Sequence, residues 1–257
     1  VTRDVILSTP VPVPGNPGGA LTCRRLSLPR EVMDADGGVW WEALANVALG
    51  PDESCVWRSL GGTSRRRDWL MGRVAAKDTV RLHVLRTRGL RLLPADIAIV
   101  ADGFGKPEPR GPELARLAVP LSVSIAHTDG AAMALVSEPA RGIGIDIERL
   151  DRRRGDYERA AFHESERALL GDTGPARRER ALRLWCAKEA AAKALGRGLM
   201  GSPLNLELCF GDDRLERVDL AVRGSLLREL PHLVDRPVTA FVESQADWIV
   251  ATALADP

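Results

Sequence analysis

The segment Gly142-Ile143-Gly144-Ile145-Asp146-Ile147-Glu148 constrains the chain more than any other. Its isoleucines alternate with small or acidic residues, the period-two pattern of a half-buried strand. Successive side chains leave opposite faces, so the three isoleucines share one face and Asp146 and Glu148 share the other. At a rise of about 3.4 Å per residue the two carboxylates start about 7 Å apart at Cα. From that separation both side chains can converge on one hard cation. Glycines at 142 and 144 strip side chains from the acidic face and leave room there for something bulky. An edge strand with a solvated acidic face has the same pattern, so this segment alone leaves both readings open.

Further on comes the strongest helical pattern in the chain, Ala176 to Leu195, ended by Gly196. Trp185, Glu189 and Lys193 are spaced i, i+4, i+8 and lie along one of its faces. Glu189 and Lys193 read as functional groups or as a surface ion pair worth about 0.2–0.5 kcal/mol.

The rest of the chain alternates between the two periods. Short strands are expected at Asp4 to Leu7 and near Leu21 to Leu26, on either side of a Pro- and Gly-rich stretch, Pro10 to Gly19. Helices follow over Gly38 to Leu49, Asp52 to Leu60 and, capped by Ser64, Arg65 to Arg86. The last begins with Arg65, Arg66 and Arg67 and carries Arg73 and Lys77 further along. Basic residues in a first turn oppose the helix dipole, which favours an anionic partner; a solvated arginine-rich face is the competing reading. Ile97 to Val100 leads into the turn Gly103-Phe104-Gly105-Lys106-Pro107. Leu121 to Ala126 alternates cleanly, runs into His127 and turns back through Asp129-Gly130 along Ala131 to Val136, a hairpin. A histidine at a strand end can simply bond a loop. Glu138 to Arg141 links the halves, giving expected domains 1–137 and 138–257. In the second, Arg149 to Arg154 reads as a loop, Tyr157 to Phe162 as a helical turn, and Arg167 to Leu170 as a short helix capped by Ser165. Strands are expected at Leu204 to Phe210 and Leu215 to Val222, with a closing hairpin from Val238 to Ala253. No internal repeat or low-complexity segment is visible.

Composition narrows the classes. Apolar content of 45% and charged content of 28% describe an ordinary globular protein. A net charge of +1 gives no electrostatic case for nucleic acid or an anionic membrane. No apolar run approaches the roughly 18 residues of a membrane helix, and the start lacks the apolar core of a signal peptide. Cysteines 23, 55, 186 and 209 show no zinc spacing, so free thiols in a reducing, cytoplasmic setting are expected. Only four of the 36 basic residues are lysines: Lys77, Lys106, Lys188 and Lys193. In so arginine-rich a chain each lysine carries information. The initial valine is compatible with a processed product or a piece of a longer polypeptide.

Taken together, the Gly142–Glu148 segment and Leu184-Trp185-Cys186-Ala187-Lys188-Glu189-Ala190-Ala191-Ala192-Lys193 resemble the two signature motifs of the 4'-phosphopantetheinyl transferases, a G-I/V-D strand and a W-x-x-K-E-x-x-x-K helix. Gly105-Lys106-Pro107 and Ser124-Ile125-Ala126-His127 stand upstream in matching order. The length is similar to the surfactin-synthetase-activating type. That resemblance implies an α+β fold of two similar half-domains forming an intramolecular pseudo-dimer, each a small antiparallel sheet packed with helices. The first half would contribute coenzyme A contacts and the second the metal and catalytic motifs.

The implied activity moves the 4'-phosphopantetheine arm of coenzyme A onto a serine of an acyl or peptidyl carrier protein, releasing adenosine 3',5'-bisphosphate. The barrier lies in neutralising phosphate charge and orienting a weak nucleophile. The resemblance assigns Mg²⁺ to Asp146, Glu148 and Glu189, a general-base role to Glu189, and the pyrophosphate to Lys193. Metal ligation and base catalysis by Glu189 pull against each other, because a metal lowers the carboxylate's basicity. Lys106 and Pro107 resemble the turn packed against the adenine, and His127 a phosphate contact. Arg65 and Arg67 stand nearest the 3'-phosphate role, since Glu53 and Val56 occupy positions where the surfactin-type pattern has lysines. Glu166, four residues after Phe162, would orient the lysine-bearing helix. The expected partners are a carrier protein and coenzyme A, with no nucleic acid or membrane. The chain would act as a monomeric pseudo-dimer, or as a domain of a larger synthase. Two other classes fit parts of the pattern: a carrier-docking module without turnover, and a Mg²⁺-dependent phosphohydrolase.

Overall fold

The structure, a computed structural model, describes residues 7–15, 21–28, 38–128, 130–138, 142–151 and 157–255. Much of the expected first strand, residues 16–19 of the Pro/Gly stretch, Asp129, residues 139–141 of the linker and residues 152–154 of the arginine-rich loop lie outside them. The chain divides into two compact units, Val1–Asp102 with Pro107–Ala140, and Gly103–Lys106 with Arg141–Pro257.

The first unit orders its described elements as β1 (Thr9–Pro10), β2 (Thr22–Ser27), α1 (Val39–Ala48), α2 (Pro51–Ser59), α3 (Thr63–Arg88), β3 (Ala98–Ala101), β4 (Pro107–Arg110), β5 (Ser122–Thr128) and β6 (Ala131–Ser137). Strands β1-β2-β6-β5 form one antiparallel sheet, and β3 pairs with β4. Helix α3 lies across β6, β2 and β5. It buries Leu70, Val74, Ala75, Val80 and Val84, a helical-period stripe that closes the core of this unit. Its N-cap is Gly62 rather than a serine, so the expected Ser64 cap is replaced by a turn of the helix itself.

The second unit contains β7 (Gly142–Arg149), α4 (Glu158–Ala161), α5 (Glu164–Leu169), α6 (Pro175–Ala194), β8 (Leu206–Gly211), β9 (Arg217–Val222), α7 (Gly224–Glu229), β10 (Val238–Gln245) and β11 (Trp248–Ala255). Its sheet runs β7-β11-β10-β9-β8, all antiparallel. Helix α6 packs on β7, β11 and β10 through Leu184, Ala187, Ala190, Ala191 and Ala194. Strand β7 is buried on both faces, not half-buried, because this helix covers the acidic one. The room left by the glycines is taken by α6: a Cβ at Gly144 would overlap Ala190 O and stand 2.7 Å from Ala194 N. The space expected for a bulky group is therefore occupied by helix backbone. The cap of α5 also differs, with His163 at the N-cap in place of Ser165.

Apart from β1 in the first unit and α7 in the second, element order repeats between the units: a strand, three helices, then four strands ending in a hairpin. The central pairings match too, since β2 joins β6 of the β5–β6 hairpin and β7 joins β11 of the β10–β11 hairpin. This repeat gives each half the antiparallel sheet and helices expected of an α+β fold.

A buried device repeats with it. In the first unit Lys77 Nζ donates to Ala48 O (2.7 Å) and to Glu53, whose second oxygen takes the Ile99 amide (3.0 Å). In the second, Lys188 Nζ donates to Ala161 O (3.0 Å) and Glu166 Oε2 (2.6 Å), and Glu166 Oε1 takes the Leu208 amide (2.7 Å). Both lysines are fully buried. Burial pushes each ammonium below the ordinary lysine range while its glutamate pulls it back. Lys77 is thus a structural cation and not part of the basic face of α3. Glu53 is its counter-ion, which explains why a lysine is absent at that position.

Candidate active site

Asp146 and Glu148 stand on β7 opposite Ala251 and Ile249 of β11, and both are more than nine-tenths buried. Trp185, Glu189 and Lys193 form a less buried stripe on α6, as the i, i+4 spacing requires. Tyr157 meets the Trp185 ring edge-on at 5.8 Å and anchors the start of that stripe. At its other end Lys193 Nζ donates to Asp146 Oδ1 (2.7 Å) and to Ile145 O (3.0 Å). Burial works against the Lys193 ammonium, but the carboxylates of Asp146 and Glu189 outweigh it and hold its pKa above the ordinary lysine value. Lys193 is a permanent cation at neutral pH.

The other oxygen, Asp146 Oδ2, is buried without a hydrogen-bond partner. A buried carboxylate oxygen left unsatisfied is costly, and a hard oxygen donor of that kind suits Mg²⁺. Among the described residues no three His, Cys, Asp or Glu side chains are gathered to hold a metal ion. The expected trio of Asp146, Glu148 and Glu189 is therefore not assembled as a closed cage; one open acceptor beside a lysine is what the unit presents.

The repeat supplies an internal control. Counting from the hairpin-closing pairs Thr128–Ala131 and Gln245–Trp248, Ala134 and Ala251 are equivalent, and opposite them stand Arg24 and Asp146. By the same count Leu26 replaces Glu148. On the helices, Lys77 and Lys188 align, so Asp78 replaces Glu189 and Leu82 replaces Lys193. In the first unit the chain itself fills this place. Asp78 Oδ2 accepts the Leu7 and Ser8 amides (2.9 and 3.0 Å) and the Ser8 hydroxyl (2.9 Å), Arg81 binds Oδ1, and Arg24 Nε donates to Ser8 Oγ (2.8 Å). One copy is closed by its own chain; the other keeps a buried acceptor open.

The remaining expected residues are distributed between the units. Lys106 belongs with the second, its side chain against the end of α6: a Cβ at Gly196 would stand 3.4 Å from Lys106 Cδ. Pro107, His127, Arg65 and Arg67 belong to the first. His127 is exposed on β5, with its ring edge over Gly72 of α3. Arg65 is exposed, while Arg67 lies over the Trp41 ring at 5.3 Å. Arg66 over Trp57 (4.3 Å) and Arg73 over Trp69 (4.2 Å) extend the same series. Tryptophan faces hold these guanidinium groups in place, and the Nε atoms of Arg66, Arg67 and Arg73 are buried without partners. The sequence showed the arginines but not their stacking; the tryptophans, at 41, 57 and 69, were the available signal.

Residues 142–253, from β7 to within β11, match the model of the 4'-phosphopantetheinyl transferase superfamily. Over those residues the chain is similar to that superfamily. The match spans Asp146, Glu148, Glu189 and Lys193, so the open acceptor and its lysine lie within the matched residues. Among solved structures, holo-[acyl-carrier-protein] synthase of Thermotoga maritima is similar at 24% identity, with a TM-score of 0.34. That similarity covers 45% of this chain and 62% of the synthase, so the chain spans somewhat under two thirds of it. No curated protein matches the sequence.

Proposed function

We propose that the chain transfers the 4'-phosphopantetheine arm of coenzyme A to a serine hydroxyl of a carrier protein, leaving adenosine 3',5'-bisphosphate. One observation carries this reading: within the superfamily region, a buried and unpartnered oxygen of Asp146 sits beside the permanently charged Lys193. In the reaction the serine oxygen bonds to the β-phosphorus of coenzyme A as the bond from that phosphorus to the bridging oxygen breaks. The negative charge leaves on the α-phosphate.

Lys193 is the cation for that leaving phosphate, already fixed by Asp146 and Ile145 O and needing no reorientation. Glu189 takes the serine proton directly or through water. Mg²⁺ held by Asp146, Glu148 and Glu189 would supply further neutralisation of the pyrophosphate. Arg65, Arg67 and His127 offer phosphate contacts, and Lys106 with Pro107 offers the adenine contact. Free thiols at Cys23, Cys55, Cys186 and Cys209 suit a cytoplasmic enzyme. Among the described residues no helix is long and apolar enough to cross a membrane.

The test is mass spectrometry of a panel of apo-carrier proteins incubated with the chain, coenzyme A and Mg²⁺. The proposal expects one phosphopantetheine added per carrier serine. Phosphate release from coenzyme A with no carrier modified would instead establish a phosphohydrolase. Carrier binding without either product would establish a docking module.

A further inference from the structure

We propose that Arg197 is a positioning residue for nucleotide binding, latching the Phe104–Lys106 turn onto the end of α6. The proposal rests on the transferase reading for its ligand, and on the second unit's geometry for the latch. The turn leaves the β3–β4 hairpin, yet Gly103–Lys106 pack with the second unit. Phe104 is more than half exposed, so its ring gains little from burial. What it meets is the Arg197 guanidinium, 3.9 Å from the ring centroid. Arg197 is held from another side by Glu229, whose Oε1 lies 3.4 Å from Nε, and it donates from Nη1 to Gly196 O (3.3 Å). The clamp therefore runs from α7 through Arg197 to the aromatic tip of the turn.

Its position gives the clamp a consequence. Gly196 takes φ of 67°, the left-handed cap that ends the helix, and Lys106 lies across it. Lys193, one turn earlier on the same helix, holds Asp146. A turn with glycines at 103 and 105 has wide conformational freedom of its own. Fixing its tip onto α6 sets Lys106 relative to the helix that carries the reacting charges. A preorganised contact of this kind acts on ligand affinity more than on the chemical step.

The test combines two measurements on the full chain. Hydrogen exchange reads the latch: Arg197→Ala should speed exchange of the Gly103–Lys106 amides while the rest of the chain keeps its protection. Calorimetric titration with coenzyme A and Mg²⁺ reads its purpose: Arg197→Ala and Phe104→Ala should each weaken binding about three- to five-fold. The double variant should be no worse than either single one. Arg197→Lys, which keeps a cation over the ring, should recover most of the affinity. Unchanged exchange in Arg197→Ala overturns the latch. Faster exchange with unchanged coenzyme A affinity overturns the positioning role. A wild-type chain that binds no coenzyme A overturns the transferase reading and the ligand half of this proposal together, while the exchange result still decides the latch.

Discussion

Lys193 keeps its charge because two carboxylates outweigh the burial around it. If that charge meets the leaving phosphate, Lys193→Ala removes a preplaced electrostatic contact, and such contacts are worth about 2.7–4 kcal/mol in a transition state. The expected result is a 100- to 1,000-fold fall in kcat with a much smaller change in KM for coenzyme A, measured by initial rates. A pure KM effect would place the lysine in ground-state binding instead. A second residue-scale prediction concerns acid stability. Partial burial opposes the Asp212 charge, but amides of Glu216, Arg217 and Arg214 outweigh it and hold the carboxyl below its ordinary 3.8. A carboxyl depressed in the folded state stabilises above its unfolded pKa, and the contribution is lost as pH falls through the folded one. The difference in Tm between wild type and Asp212→Asn should therefore be constant above about pH 5 and close below 3.8. A difference that stays constant as the pH falls below 3.8 would contradict the assignment.

At the scale of elements, the site depends on α6 lying directly on β7. Gly144 permits that approach, since any Cβ would enter the helix backbone at Ala190. Gly144→Ala should cost about 3 kcal/mol in urea unfolding, the upper range for overpacking, and should also lower activity by shifting Lys193 from Asp146. The buried lysines fix the same helices from behind. Lys188→Met strands Glu166, and Lys77→Met strands Glu53, each leaving a carboxylate buried among backbone amides. Each should cost about 3–5 kcal/mol; a loss under about 0.5 kcal/mol in either would show that the pair is dispensable.

These elements also show where sequence reasoning ended. The α6 stripe and the acidic strand were legible because their periods are set by backbone geometry alone. The cover over the acidic face was not: alternation says which residues share a face, never what packs there. Lysine scarcity marks Lys188, Lys193 and Lys106, yet Lys77 falls among the arginines of its helix, because helix position does not reveal that its partner Glu53 lies on another helix. The short strand β4 begins at Pro107 and carries a second proline at 109, and no strand pattern betrays it.

For the whole molecule, the repeat of one unit in the other is the organising fact, and it is hidden by divergence at the candidate-site positions. Arg24 for Asp146 reverses one charge, and Leu26 for Glu148 and Leu82 for Lys193 remove two more. What survives is the structural lysine and its neighbours, Ala76-Lys77-Asp78 against Ala187-Lys188-Glu189. Those residues could have revealed the repeat. The comparison then separates scaffold from chemistry: the buried lysine and its glutamate, kept in both halves, hold the fold, while Asp146, Glu148 and Lys193, kept only in the second, are available for reaction. The measurement that tests this most directly is transfer of phosphopantetheine to an apo-carrier protein by Asp146→Asn, followed by mass spectrometry. The variant keeps the size of the side chain but loses the charge that an ion and Lys193 require. With an unchanged fold by circular dichroism, the account predicts at least a 100-fold loss of rate; transfer at the wild-type rate would contradict it.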